Sequence, residues 1–566
     1  MNEHGASICG LAYGEEKSTL LNDKPLLDIE DDARYADLTS RFSATTYHPR
    51  QWTTTTLPSR AAHRAVTHLP GLLRRTLFFL LPSFIQPLLS HRHHHHHNPP
   101  LPPRPAPKQP SPTAYLDGMR GLAALIVFFC HLLYTSFAIA PGYGATPINN
   151  PNPNSPAENQ AQNHHHNHIP LLPFLRLLFS GPPMVCTFFV ISGYALSLRP
   201  LTRAGAHDPS AATAVVSSLV FRRAVRLFAP AAASTGLVVV LVATGVYDAT
   251  RGVAGDAGLL RNLREPHFGW EGGSLGGLVA EWGRHMFRFV HVWDWTLFGG
   301  STGLDVHLWT IPVEFRCSMV LFLTLVGTVR LKRGWRLGVV GGLVVFVYLS
   351  KRWEMVLFYA GMVLADLDVA RGAHGSAGPA LPAPGLMSGS SSRASSPSPS
   401  SPKRRTARRA IWTALSVVGL FLMSQPDERG ADTPGWVFLT SLIPKWWTDE
   451  HRYWQSAGAI LFVLAVGRLK GWQRFFNLPV VQYFGKISYA IYLMHGPVIH
   501  TAGYAIEAWA WGLTGTEGRQ YEAGFALASL FVVPLVIWVS DVFWRAVDAP
   551  IVKFAKWLEA TCSISD

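Results

Sequence analysis

Charge is what this chain has least of. Lys, Arg, Asp and Glu make up only 15% of its 566 residues, against about a quarter in a soluble protein. That deficit excludes a surface that faces water throughout. Cysteine is scarce too. Cys9, Cys130, Cys186, Cys317 and Cys562 form no CxxC and no metal-type pair, so neither a disulfide framework nor a metal site is expected. Three of the five lie inside apolar runs, where they pack as small hydrophobes. The opening MNEHGASICG lacks a basic patch followed by a long apolar core, so no signal peptide is expected. No internal repeat is visible, and no GxSxG elbow.

Apolar residues are plentiful, at 48%. After residue 112 they fall into ten segments, near 119–140, 174–198, 227–247, 306–329, 336–350, 353–368, 410–425, 456–467, 484–510 and 523–547. A span needs about 20 such residues, and the fifth, sixth and eighth segments are short. The expected fold is an all-α polytopic membrane protein of about ten helices, with its membrane domain over 113–550. Residues 1–112 read as a polar tail. Within it, 71–90 is apolar but broken by Arg74, Arg75 and two prolines, which fits an interfacial or re-entrant segment. The run His93–His97 and the Pro-rich tract after it read as linker, with no fixed geometry to hold a metal. The amphipathic stretch 277–300 reads as an interfacial helix. The Ser/Pro-rich stretch 372–409 is expected to be a disordered loop, and 551–566 a carboxy-terminal tail.

The net charge is +14. The basic residues sit between apolar spans and not on a polar domain, which speaks for topogenic charge and against nucleic-acid binding. With the amino terminus taken as cytoplasmic, the inner loops carry 20 Lys and Arg and the outer loops 12. Both termini are therefore expected in the cytoplasm.

Polar residues inside the spans are the candidates for chemistry, because ionisable groups there are costly and usually functional. In the first span Arg120 and His131 are eleven residues apart. That is almost three full turns, so both project from one face about 16 Å apart. Either they serve one groove, or Arg120 snorkels to the interface and His131 caps a carbonyl. Phe188-Phe189-Val190-Ile191-Ser192-Gly193-Tyr194 in the second span permits close helix approach. Arg222, Arg223 and Arg226 crowd one turn at a membrane edge and form either an anion site or a topogenic cluster. The fourth span opens His307-Leu-Trp309-Thr310-Ile-Pro312-Val-Glu314, with a glutamate that must be paired or protonated. In the ninth, Ser488, Tyr492 and His495 share a face beside Tyr489, offering hydroxyls and an imidazole to a cavity or to neighbouring helices.

In this order, YLDGMRGLAALIVFFCH, FFVISGYALS, FRRAVRLFAP, HLWTIPVEF and FGKISYAIYLMHGPV resemble the acyltransferase-3 family of membrane O-acyltransferases. The resemblance covers residues 115 to about 550. It implies transfer of an acyl group, often acetyl, to a hydroxyl of a sugar, lipid or small metabolite. The family's essential arginine and histidine fall on Arg120 and His131, its arginine cluster on Arg222, Arg223 and Arg226, and its glutamate on Glu314. Two departures stand out. Cys130 precedes His131 where the family often has an aromatic residue. Asp548 stands where many members carry a glutamate. The long tail and Ser/Pro loop look like those of fungal members, some of which decorate secondary metabolites.

The implied partners are the lipid bilayer, acyl-CoA as co-substrate and a hydroxyl-bearing acceptor, with no permanently bound cofactor and no nucleic acid. The arginines would hold the phosphates of CoA at the cytosolic edge. His131 would act as general base, with Glu314 or His495 orienting it or binding the acceptor beside Trp309, Ser488, Tyr489 and Tyr492. An acyl-enzyme on Ser488 is the less favoured route. A secondary transporter is the competing class, since polar residues in ten spans also suit transport, but no inverted repeat supports it. MBOAT-type acyltransferases also use a membrane histidine, yet the Arg-to-His spacing followed by FFVISGY fits acyltransferase-3 better. The endoplasmic reticulum and the plasma membrane are both compatible with the sequence.

Overall fold

The computed structural model describes residues 71–86, 111–145, 168–263, 265–270, 273–293, 301–373 and 402–563. The tail before residue 71, the His93–His97 tract, residues 374–401 of the Ser/Pro-rich loop and residues 564–566 lie outside these. The described elements are helical, in the order α1 (Gly71–Leu80), α2 (Ala114–Tyr134), α3 (Gly181–Gly205), α4 (Pro209–Ala243), α5 (Val246–Ala254), α6 (Leu275–Val290), α7 (Thr310–Thr328), α8 (Arg333–Leu349), α9 (Trp353–Ala370), α10 (Pro402–Met423), α11 (Glu450–Val466), α12 (Lys470–Phe476), α13 (Pro479–Val498), α14 (Tyr504–Thr514), α15 (Gly518–Phe543) and α16 (Ala549–Cys562), with shorter turns between them.

Among the described residues, six helices are long and apolar enough to cross a membrane: Ala114–Tyr134, Gly181–Gly205, Pro209–Ala243, Val306–Thr328, Lys403–Met423 and Gly518–Cys562. The other four expected spans are helical but fall short of that measure, for physical reasons. The 17 residues of α8 and of α11 give about 25 Å of helix, less than the hydrocarbon thickness. Helix α9 carries Glu354, Asp366 and Asp368, all buried. Helix α13 is diluted by Gln482, Lys486, Ser488 and His495. Residues 551–562, expected as a tail, continue the last helix, and α10 begins inside the expected loop. Of the amphipathic stretch 277–300, the part to Val290 is helical in α6, and residues 294–300 lie outside the described residues. The segment after α1 docks on α15, where the Ser83 amide and hydroxyl donate to Asp541 at 2.8 and 2.6 Å.

Apolar burial gives no preference for one helix neighbour over another in lipid, so close packing decides the arrangement. Glycines permit it at two seams. A Cβ on Gly121 of α2 would stand 2.1 Å from the Gly485 nitrogen of α13, and one on Gly118 would stand 2.0 Å from the Phe476 carbonyl. Between α3 and α9, Gly193 and Gly361 admit the Phe358 and Val190 carbonyls, each 2.2 Å from where a Cβ would be. Around these seams lie two apolar clusters. One is centred on Phe189, Leu321 and Phe358. The other is centred on Phe128, Ile491 and Val532.

The seam is open to a direct test. Gly121→Ala forces two backbones apart and is expected to lower stability by about 1–3 kcal/mol, the usual cost of overpacking. Gly341→Ala in α8, where an added Cβ meets nothing within 4 Å, should hold or raise stability through helix propensity. Thermal unfolding of the two variants in detergent distinguishes them.

Candidate active site

Helices α2 and α13 run parallel. Their glycines meet at one end, and at the other His131 faces His495 with ring centroids 5.2 Å apart. His307 enters from the 3-10 turn Val306–Trp309 that leads into α7. Its ring lies 4.1 Å from that of His131 and 4.7 Å from that of His495. The chain after α13 passes through a π-helical turn, Ile499–Gly503. Such turns are rare and frequent at functional sites. This one presents His500, whose ring stacks on that of His267 at 5.6 Å.

Glu265, from the loop between α5 and α6, ties these rings together. His131 Nδ1 donates to its Oε1 at 2.8 Å. His307 Nε2 lies 2.8 Å from its Oε2, an ion-pair distance without hydrogen-bond alignment. His500 Nε2 lies 3.6 Å from the same oxygen. Burial opposes the charge of Glu265, but His307 and His131 outweigh it and hold the carboxyl well below the usual carboxylate range. Asp305 plays a similar part for His307, accepting from Nδ1 at 2.7 Å and from the backbone N–H at 3.0 Å. His495 Nδ1 donates to the Ile491 carbonyl at 3.0 Å.

These partners assign the tautomers. Carboxylates and carbonyls only accept, so Nδ1 carries the proton in His131 and His495 and their neutral rings keep the lone pair on Nε2, whereas His307 has a carboxylate against each ring nitrogen. His307 and His495 are enclosed, whereas the side chains of His131 and Glu265 are 25% and 18% exposed. The cluster therefore opens to the outside along those two residues. His131 has its Nδ1 anchored and its Nε2 free to exchange a proton with a ligand.

A second polar layer lies further along the bundle. Arg223 donates to Glu314 at 2.6 Å and to the Ser318 hydroxyl at 3.1 Å, and Ser192 donates to Glu314 at 3.0 Å. The glutamate thus meets Arg223, while the carboxylate on His131 is that of Glu265. The arginines of one turn face three different acids. Arg222 pairs with Glu559 at 3.0 Å, Arg223 with Glu314, and Arg226 faces Asp548 together with Arg120. Arg120 also lies 3.9 Å from Asp117 in an exposed pair.

The remaining predicted residues serve the frame. Tyr492 donates to the His307 carbonyl and shares a 2.6 Å hydrogen bond with Thr310. Tyr489 donates to the Leu227 carbonyl at 2.6 Å, and Ser488 donates to Gly485 in its own helix at 3.0 Å. Trp309 lies under the Arg452 guanidinium, 4.9 Å from its ring centroid.

Sequence reasoning missed Glu265, Asp305, His267 and His500, and quoted His307 without giving it a role. The available signals were faint: an acid two residues before a histidine at 305 and 307, and Glu265-Pro-His267 in a long aromatic loop.

Gly496 makes room for the pair behind His131. A Cβ there would lie 2.7 Å from His307 Nδ1 and 3.0 Å from Asp305 Oδ1. Gly496→Ala should therefore displace His307 and lower catalytic turnover while the bundle stays folded. Turnover measured beside a thermal melt checks this.

Comparison with known proteins gives the arrangement its context. Residues 113–545 match the acyltransferase domain of the acyltransferase-3 family. O-acetyltransferase PaAT-1 of Phomopsis amygdali is 30% identical over 469 residues, covering 79% of this chain and 84% of its own length. Acyltransferase R4 of a Phoma species is 28% identical over 485 residues, covering 81% and 98%. Acyltransferase clz18 of Cochliobolus lunatus is 26% identical over 504 residues, again covering 81% and 98%. No solved structure gives a significant match. The five motifs, the all-helical bundle with its apolar spans and the domain match over most of the length agree, and the chain belongs to the acyltransferase-3 family of membrane acyltransferases.

Proposed function

We propose that this acyltransferase moves an acetyl group from acetyl-CoA to a hydroxyl of a small metabolite, lipid or sugar, with His131 as general base and Glu265 as its positioning partner. The observation that carries the reading is the 2.8 Å hydrogen bond from His131 Nδ1 to Glu265. It leaves Nε2 free at the open side of the cluster. The printed activity of one relative, O-acetyltransferase, supports acetyl as the group transferred and oxygen as the acceptor atom. A role in fungal secondary metabolism is part of the same proposal.

The acceptor hydroxyl gives its proton to His131 Nε2 as its oxygen attacks the thioester carbonyl. Glu265 stabilises the imidazolium that forms, as a buried carboxylate behind a catalytic histidine does. The tetrahedral intermediate collapses, the C–S bond breaks, and the sulfur of CoA takes the proton back from Nε2. Ester and free thiol result, and the base is regenerated. His307 and Asp305 brace Glu265 from the other side.

CoA is assigned to the opposite end of α2, taken as cytosolic. Arg222 and Arg223 are held by carboxylates at 3.0 and 2.6 Å, whereas Arg120 and Arg226 both face Asp548 and Arg120 lies 3.9 Å from the exposed Asp117. The second pair is the better phosphate ligand, with Arg223 and Glu314 lining the passage in between. In this reading the task of orienting His131, which the sequence left to Glu314 or His495, falls to Glu265.

Thiol release from acetyl-CoA by purified protein, supplied with candidate alcohols, is the test. His131→Ala is expected to lose about 10²–10⁴-fold in kcat, the range of general-base catalysis. Glu265→Gln should lower kcat with little change in KM for acetyl-CoA. Wild-type turnover in folded His131→Ala protein would remove the base assignment.

The phosphate end predicts a different signature. Arg226→Ala should raise KM for acetyl-CoA by about 10–100-fold, the worth of one charge-assisted hydrogen bond, with kcat largely kept. An unchanged KM would move the CoA site elsewhere.

A further inference from the structure

One ring nitrogen from each of His131, His307 and His495 lies within 4.8 Å of one from each of the others. Each ring is held at Nδ1 by an oxygen acceptor: Glu265 at 2.8 Å, Asp305 at 2.7 Å and the Ile491 carbonyl at 3.0 Å. Nε2 is the nitrogen left for an ion in His131 and His495, and that of His307 lies 2.8 Å from Glu265 Oε2. Those of His307 and His495 are buried and have no hydrogen-bond partner. Glu265 and Asp305 bring two negative charges to the same place.

This is the donor arrangement of a zinc site. Imidazoles that bind zinc donate their other ring N–H to a carboxylate or carbonyl, which fixes the tautomer and raises the basicity of the ligating nitrogen. Three imidazole nitrogens with a carboxylate or water in fourth place suit zinc and its neighbours among borderline divalent ions. A proton between the rings satisfies one or two of the Nε2 lone pairs. A divalent cation satisfies all three and balances both carboxylates.

We propose that His131, His307 and His495 form a binding site for one divalent ion of the zinc class, and that its occupation inhibits the acyltransferase. A water takes the fourth place, since Glu265 is held on the Nδ1 side of His131, and the partly exposed side of His131 and Glu265 is the entry path. Inhibition follows because the ion takes the Nε2 lone pair that His131 needs to accept the acceptor's proton. Metal binding stands on the donor geometry alone. The inhibitory half rests on the base reading above.

The test uses the full chain in detergent, with the histidine runs His93–His97 and His164–His166 replaced by asparagine so that they do not compete for metal. Titration with Co²⁺ should give the visible bands of a four-coordinate ion at one equivalent, and Zn²⁺ should displace them. His495→Gln should abolish the bands. Asp305→Asn, which touches only the far side of His307, should weaken Zn²⁺ by about 10–100-fold. Helical content and melting temperature, with His495→Asn as a second variant, separate metal loss from unfolding. Absence of the bands in folded parent protein, or their survival in both His495 variants, overturns the site and leaves the proposed function standing. In the thiol-release assay Zn²⁺ should stop turnover and a chelator should restore it. Stoichiometric binding without inhibition would keep the site but remove both the inhibition and His131 as the base.

Discussion

The carboxylate of Glu265 holds the reactive end of this protein together. It reaches out of a loop 134 residues from His131 in sequence and meets imidazoles from the end of one helix, the turn before another and the π-turn after a third. Removing one partner of such a buried pair typically costs about 3–5 kcal/mol, because the other charge is left uncompensated. The loop between α5 and α6 is therefore as much a part of the core as the spans. Asp305 and Gly496 complete the support, one by gripping His307 and the other by leaving space for it.

Elsewhere the bundle manages its charges by pairing them in layers. Arg223 with Glu314 lies between the histidine end and the end where Arg120 and Arg226 face Asp548. Arg336 and Arg333 do the same for Asp366, and Arg468 for Asp368. Each pairing lets an ionisable side chain sit inside an apolar bundle.

The helices that carry long apolar runs were legible from their residues, and so were the residues with a regular spacing on a single helix. Arg120 and His131 share a face because eleven residues fix that geometry, and His495 joins them because α2 and α13 pack in parallel through glycines already visible in the sequence. What could not be read was pairing across the fold. Arg223 and Glu314 were legible as separate candidates, but nothing in either segment says that they meet. Glu265 and His500 were hard to read for a related reason: one sits in a loop without periodicity, and the other owes its position to a π-turn that has no sequence signature. The shorter helices were legible as apolar segments, yet their length and their buried acids place them below the measure of a clear span.

The glycine seam between α2 and α13 has a consequence for how such enzymes diversify. Two backbones in contact have no side chains to trade, so that wall behaves as the fixed jaw of a vice and always presents His131 and His495 at the same spacing. The opposing jaw is set by Glu265 in a loop and His307 in a turn, and can be recut without disturbing the spans. Selection for a new alcohol therefore has one side of the cleft to work on, and related enzymes should differ there while the fixed jaw stays the same.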